Sequence, residues 1–181
     1  VCAGTNVTFT PTPTNGGGSP SYQWFVNGSF VLSGSVYSSS VLNNGDNVTT
    51  TMTSSIACPT PTTATSTPVT MTINALPTIV TISGGGTVCG STTLTASNGG
   101  SGTIYFQGTT SNGTSTAFPS TSEFINTPGT YYFRAQSGAG CWGPQGSVTV
   151  TINPLPNTVT VTGGGTFCGG STTLNAANGG S

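Results

Sequence analysis

The sequence predicts an all-β fold built from tandem β-sandwich repeats, and three observations carry that prediction. Apolar residues alternate with Thr along several short segments, Asn-Gly and Gly-rich turns separate those segments, and a long stretch of sequence recurs at an interval of about 79 residues, from Thr72 to Thr151. Period-two alternation places apolar side chains on one face of a strand and polar ones on the other.

The alternation runs through Val69, Met71 and Ile73 in PVTMTI, Val80 and Ile82 in TIVTIS, Val148, Val150 and Ile152 in SVTVTI, and Val159 and Val161 in NTVTVT. Thr fills the opposite positions, and its β-branched side chain suits an exposed pleated face. No window shows a helical period. Asn27-Gly28 and Asn112-Gly113 supply the positive φ angles of tight hairpins. Leu76-Pro77 and Leu155-Pro156 each end a strand, and the proline stiffens a short connection to the next unit.

The repeat is TINALPTIVTISGGGTVCG-STTLTASNGGS from Thr72 to Ser101, matched by TINPLPNTVTVTGGGTFCGGSTTLNAANGGS from Thr151 to Ser181. VCAGTNVTFTPTPTNGGGS, from Val1 to Ser19, is a diverged copy of its second half. A period of this size describes a domain rather than a solenoid coil. The expected division is therefore residues 1–76 as a sandwich lacking its first strand, 77–155 as a complete sandwich, and 156–181 as the first two strands of a third.

Composition excludes several function classes. The 181 residues carry one Lys or Arg, two Asp or Glu and no His. Nucleic-acid binding by counterion release and attraction to an anionic membrane surface both need several basic residues. General acid–base or nucleophilic catalysis needs titratable groups that this chain lacks, so no catalytic residue is expected. GGGT at Gly84 and Gly163 resembles a phosphate loop only superficially, because no helix or Lys follows; the glycines are expected to turn the chain between its first and second strands. Calcium bridging needs clustered carboxylates, which leaves a lone site at Asp46 with backbone carbonyls as the weaker alternative. No cofactor or metal is expected. No apolar run spans a membrane, and any export signal is expected upstream of Val1.

GTYYFRA (Gly129 to Ala135), followed by Cys141 and SVTVTI, resembles strands F and G of an immunoglobulin-like domain. The resemblance implies that Tyr131 holds the tyrosine-corner position, with Phe133 where antibody domains carry a cysteine. SYQWFVNG resembles strand C with Trp24 as the core tryptophan, and Phe106 of TIYFQG takes that place in the second domain. As a set, VTxxGGGTxCG-STTL, YQWFVNG, GTYYFRAxSxAGCWGP and TINPLP resemble the Ig-like repeats of very large secreted surface proteins of Bacteroidota. That likeness implies long adhesin-like chains exported by a type IX route.

Five cysteines without His or a CxxC pair read as disulfides rather than zinc ligands. The expected pairs are Cys2 with Cys58 and Cys89 with Cys141, each tying the start of strand B to the F–G turn, with Cys168 pairing beyond Ser181. Buried free thiols are the alternative. Disulfides imply an oxidising, extracellular or cell-surface setting. Sequons stand at Asn6, Asn27, Asn47 and Asn112, and O-linked sugars on Thr-rich faces would supply the solubility that charge does not. Trp142 is the leading surface aromatic, with Tyr37 and Phe118 behind it, although packing against a disulfide also accounts for Trp142.

The leading expectation is a non-catalytic spacer or shaft repeat of a long secreted adhesin or extracellular fibre, its partners being neighbouring repeats. A glycan-binding adhesion module and a fibre subunit completed by strand exchange between chains are the alternatives. Neither nucleic acid nor membrane is an expected partner.

Overall fold

The chain is described by a computed structural model that covers residues 1–57, 61–166 and 168–177. Strands and turns make up its regular structure, and no helix occurs among the described residues. The residues group into two compact units. The first comprises Val1–Thr78 with Gln136–Gly143, the second Ile79–Ala135 with Pro144–Ser181.

In the first unit the strands are β1 (Val7–Phe9), β2 (Ser21–Val26), β3 (Ser29–Ser33), β4 (Tyr37–Ser39), β5 (Asn47–Thr53), β6 (Thr63–Thr65) and β7 (Val69–Thr70). One sheet has the order β3-β2-β5-β6, with β7 also paired to β5, and the other pairs β1 with β4. Asn27 and Gly28, at φ 51° and 79°, turn β2 into β3 as the Asn-Gly signal requires. Trp24, Val48 and Met71 form the buried centre, with Phe9, Tyr37, Val26 and Ile73 packed around them. Phe9 stacks on Tyr37 at 5.8 Å, and the Trp24 indole N–H donates to the Gly34 carbonyl at 2.9 Å. The buried ring thus keeps a partner for its polar atom.

In the second unit the strands are β8 (Thr81–Ser83), β9 (Gly86–Cys89), β10 (Thr92–Ser97), β11 (Thr103–Phe106), β12 (Ser122–Ile125), β13 (Gly129–Gln136), β14 (Gly146–Asn153), β15 (Thr160–Thr162) and β16 (Asn175–Ala177). A β12-β10-β8 sheet and a β11-β13-β14-β9 sheet form the sandwich. Val80, Leu94, Ile104, Ile125, Tyr131, Phe133 and Val150 are buried between them. The Phe106 ring lies 5.0 Å from Phe133 and 6.1 Å from Tyr131. Tyr131 donates its hydroxyl to the Thr127 carbonyl at 2.9 Å, the backward bond of a tyrosine corner. The fold is an all-β, immunoglobulin-like sandwich.

The GGG stretch joins the unit's first strand to its second as a crossing between sheets rather than as a turn within one. Gly84 and Gly86, at φ 90° and 102°, carry the chain from β8, on one sheet, to β9, which pairs in parallel with β14 on the other. A Cβ at Gly84 would collide with the Thr93 carbonyl, so the crossing requires glycine for space as well as for angle. Thr92 fastens it by donating its hydroxyl to the Gly84 carbonyl at 2.7 Å, and Thr172 repeats the bond to Gly163 at 3.1 Å.

β15 pairs with β16 in the register of β8 with β10, Thr160 opposite Ala177 as Thr81 is opposite Ser97. Val159 and Val161 are exposed on this two-stranded ribbon.

Phe133 is fully buried at the centre of the second unit. Phe133→Ala is expected to lower unfolding stability by about 3–5 kcal/mol, whereas the exposed Ser147→Ala should change it by less than about 0.5 kcal/mol. Chemical denaturation of the two variants checks this difference.

Candidate functional site: the cysteine link and its loop

The segment after Val1 runs beside the end of its own unit's last strand. Cys2 forms a parallel bridge with Asn74, the Ala3 amide donates to the Asn74 carbonyl at 2.9 Å, and the Asn74 amide donates to the Val1 carbonyl at 2.8 Å. The loop Gln136–Gly143 is held by its own bonds. The Ser137 amide donates to the Cys141 carbonyl at 2.9 Å, the Cys141 amide to the Ser137 hydroxyl at 3.1 Å, and Gln136 bridges to Trp142. This rigid loop presents Cys141, which is 1% exposed and bonded to Cys2 with a Cα–Cα distance of 5.6 Å.

That bond replaces both expected pairings. Cys2 is joined to Cys141 rather than to Cys58, which lies outside the described residues, and Cys89 is a free, exposed thiol. The reason lies in the parallel pairing of β9 with β14. Cys89 stands opposite Asn153, the last residue of β14, whereas the loop carrying Cys141 precedes Gly146, its first. An eight-residue strand spans roughly 23 Å, far beyond disulfide reach. Cys168 is also free and exposed. The bond closes a sequence separation of 139 residues, and on the chain-entropy account a loop of that length stabilises by about 5 kcal/mol.

Trp142 is half-buried beside the link, and Gly143 lies against the proline of the connection: a Cβ there would come within 2.5 Å of the Pro77 carbonyl oxygen. Trp24, Tyr131 and Phe133 are buried and Phe106 is partly buried against the second core. Tyr37 belongs to the Phe9–Trp24 aromatic cluster, while Phe118 is 66% exposed.

All four sequon asparagines are exposed. Two of them belong to a polar knot that composition alone did not reveal. The Asn27 amide donates to Asp46 Oδ1 at 2.8 Å, the Asn43 backbone amide donates to Asp46 Oδ2 at 2.8 Å, and Asn27 Oδ1 accepts from the Asn47 amide at 2.9 Å. Thr70 donates to Asn47 Oδ1 at 2.6 Å. The sequence shows the polar run NNGDN, from Asn43 to Asn47, and the structure sets it against the Asn27-Gly28 turn. In the second unit Gln107 plays a comparable part, its amide donating to the Ser115 carbonyl and accepting from the Ser115 amide at 2.9 and 3.0 Å.

A groove of about 670 Å³ runs along β1 in the first unit, lined by Phe9, Tyr22, Trp24, Met52, Thr65 and Val69. In the second unit the corresponding edge, that of β10, is covered by β8. Pro11 and Pro13 on the groove's rim remove backbone donors, which blunts the edge against chance pairing. Among the described residues no group of three or more His, Cys, Asp or Glu could hold a metal ion.

No protein-family model matches the chain, and no curated protein matches it. Among solved structures it is similar to the fibronectin(III)-like modules of Clostridium thermocellum CbhA, with a TM-score of 0.38, 13% identity, and 84% of this chain and 88% of that chain covered. It is also similar to a structure of a 1.5-MDa bacterial ice-binding adhesin, with a TM-score of 0.34, 14% identity, and 89% of this chain and 62% of that chain covered. At such TM-scores neither likeness bears on what the chain does.

Two outcomes follow from this geometry. The Asn43 amide, and then the Asn27 amide, hold the Asp46 carboxyl below the usual carboxylate range because they favour its charged form. Its stabilising contribution is therefore present above about pH 4 and is lost as pH falls through the lowered value. Melting temperatures measured between neutral and acid pH should fall less steeply in Asp46→Asn than in the natural chain. Separately, Gly143→Ala should cost about 1–3 kcal/mol by forcing the loop off Pro77, seen as a lower melting temperature under oxidising conditions.

Proposed function

We propose that the chain is a non-catalytic, load-bearing repeat of a long extracellular surface protein, a spacer or shaft whose partners are further copies of itself. The carrying observation is the Cys2–Cys141 bond, which closes 139 residues of sequence between a residue near Val1 and a loop far along the chain. Tension applied at Val1 and Ser181 passes through the sulfurs. The residues between the two cysteines, including β1 to β13, are then relieved of extension.

Other features support the same reading. Sandwiches with Thr-covered faces need no charge to fold, and three acidic or basic side chains in 181 residues furnish no acid–base pair for chemistry. A stable disulfide belongs to an oxidising compartment. The resemblance to repeats of large secreted surface proteins points the same way.

Single-molecule pulling between the two ends tests the proposal. Reduction of the bond should release an additional contour length of about 450–500 Å, the span of the enclosed residues at full extension. Equal contour lengths with and without reductant would remove the mechanical reading. Binding to a polysaccharide array that Trp142→Ala abolishes, at unchanged melting temperature, would favour a glycan-binding module in its place.

A further inference from the structure

We propose that Cys89 is the receiving half of a second bond of the Cys2–Cys141 kind, and that it takes the cysteine of a Cys-Trp-Gly loop from the repeat that follows. The inference uses the tandem reading above but not its load-bearing part.

The backbone pairing of Cys2 recurs at Cys89, although the turn that follows differs, three residues long at Cys2 and two at Cys89. Cys2 bridges in parallel to Asn74, and Cys89 pairs in parallel with Asn153, the same residue of the next repeat. The amide after each cysteine donates to that asparagine's carbonyl at 2.9 Å, Ala3 to Asn74 and Gly90 to Asn153. Each cysteine carbonyl then accepts from a nearby amide, Thr5 at 3.1 Å and Ser91 at 2.9 Å. Leu-Pro follows both asparagines, as Leu76-Pro77 and Leu155-Pro156. Pro77 is the residue that Gly143 approaches when Cys141 meets Cys2.

The receiving surface is thus built twice, and in one copy it holds a loop cysteine. In the other, the thiol is exposed. The bond cannot form within one repeat, since Cys89 and the Cys141 loop lie toward opposite ends of β14. A complete repeat continuing from residues 156–181 would bring its own loop of this type to the equivalent place. A chain of such repeats is then stitched by bonds that each skip forward into the following copy.

Formation is an ordinary thiol–disulfide exchange. A low-molecular-weight disulfide such as oxidised glutathione first forms a mixed disulfide with the loop cysteine. The Cys89 thiolate then attacks the loop sulfur, the new S–S bond forms, and the glutathione thiolate leaves and takes up the proton. Two thiols are oxidised, and one glutathione disulfide is reduced to two glutathiones.

The test lengthens the full chain after Ser181 by a further copy of residues 102–155, equilibrates it in a glutathione redox buffer, and maps disulfides by mass spectrometry. The expected result is a peptide joining Cys89 to the cysteine of the appended loop, with Cys2–Cys141 retained and the appended cysteine left alkylatable in Cys89→Ser. A Cys89 that is alkylated, or joined to Cys168, while Cys2–Cys141 persists would overturn the proposal.

A second measurement needs no added repeat. A synthetic peptide of residues 136–143, activated as its glutathione mixed disulfide, is offered to the 181-residue chain. The ratio of labelling at Cys89 to labelling at Cys168 should exceed by about fivefold the ratio given by oxidised glutathione alone. Equal ratios would show that Cys89 has no affinity for the loop and would count against the proposal. The pulling experiment reads only Cys2–Cys141, so the two ideas can fail separately.

Discussion

The inner faces of the second unit's two sheets are apolar, and each has the opposite sheet to cover it. In the second unit this constraint sets Leu94 and Ile125 from one sheet against Phe133, Tyr131 and Val150 from the other. The remaining features serve that contact. The glycine crossing at Gly84 lets one edge segment contribute to both sheets, and the Tyr131 hydroxyl reaches back to Thr127 so that a large buried ring keeps a partner for its oxygen.

A chain with so little charge obtains specificity from hydrogen bonds rather than from ion pairs. Asn27, Asn47 and Thr70 around Asp46, Gln107 on Ser115, and Thr92 on Gly84 each replace what salt bridges do elsewhere. These amides and hydroxyls bond mainly to backbone groups in turns, where the sheet ladder leaves donors and acceptors unpaired. No buried side-chain polar atom lacks a partner among the described residues. Hydrogen bonds between neutral amides and hydroxyls are also little affected by salt.

The cysteine link adds a constraint of another kind. Burial and hydrogen bonds hold each sandwich closed. The covalent bond, with a sequence separation of 139 residues, ties together parts of the chain that those contacts alone would not join permanently. The rigidity of the Cys141 loop, secured by Ser137 and Gln136, presents the sulfur with little ordering cost.

The sequence by itself determined the all-β class, the strands within TIVTIS, SVTVTI and NTVTVT, the Asn27-Gly28 hairpin and the aromatic positions at Trp24, Phe106, Tyr131 and Phe133, because each depends on a local rule linking residue spacing to side-chain direction; at PVTMTI only Val69–Thr70 is strand. It also carried the repeat, from which the shared surroundings of Cys2 and Cys89 could be recognised. The tertiary structure alone decided which cysteines meet. Cysteine spacing within a repeat allowed Cys89 to reach Cys141, but the crossing at Gly84 sends β9 along β14 in parallel and delivers Cys89 to the strand's far end. Likewise, nothing local in the sequence brings Asp46 to Asn27 or seats Gly143 on Pro77. Strand direction and loop placement depend on which surfaces are covered at the same time, and that is a property of the whole fold.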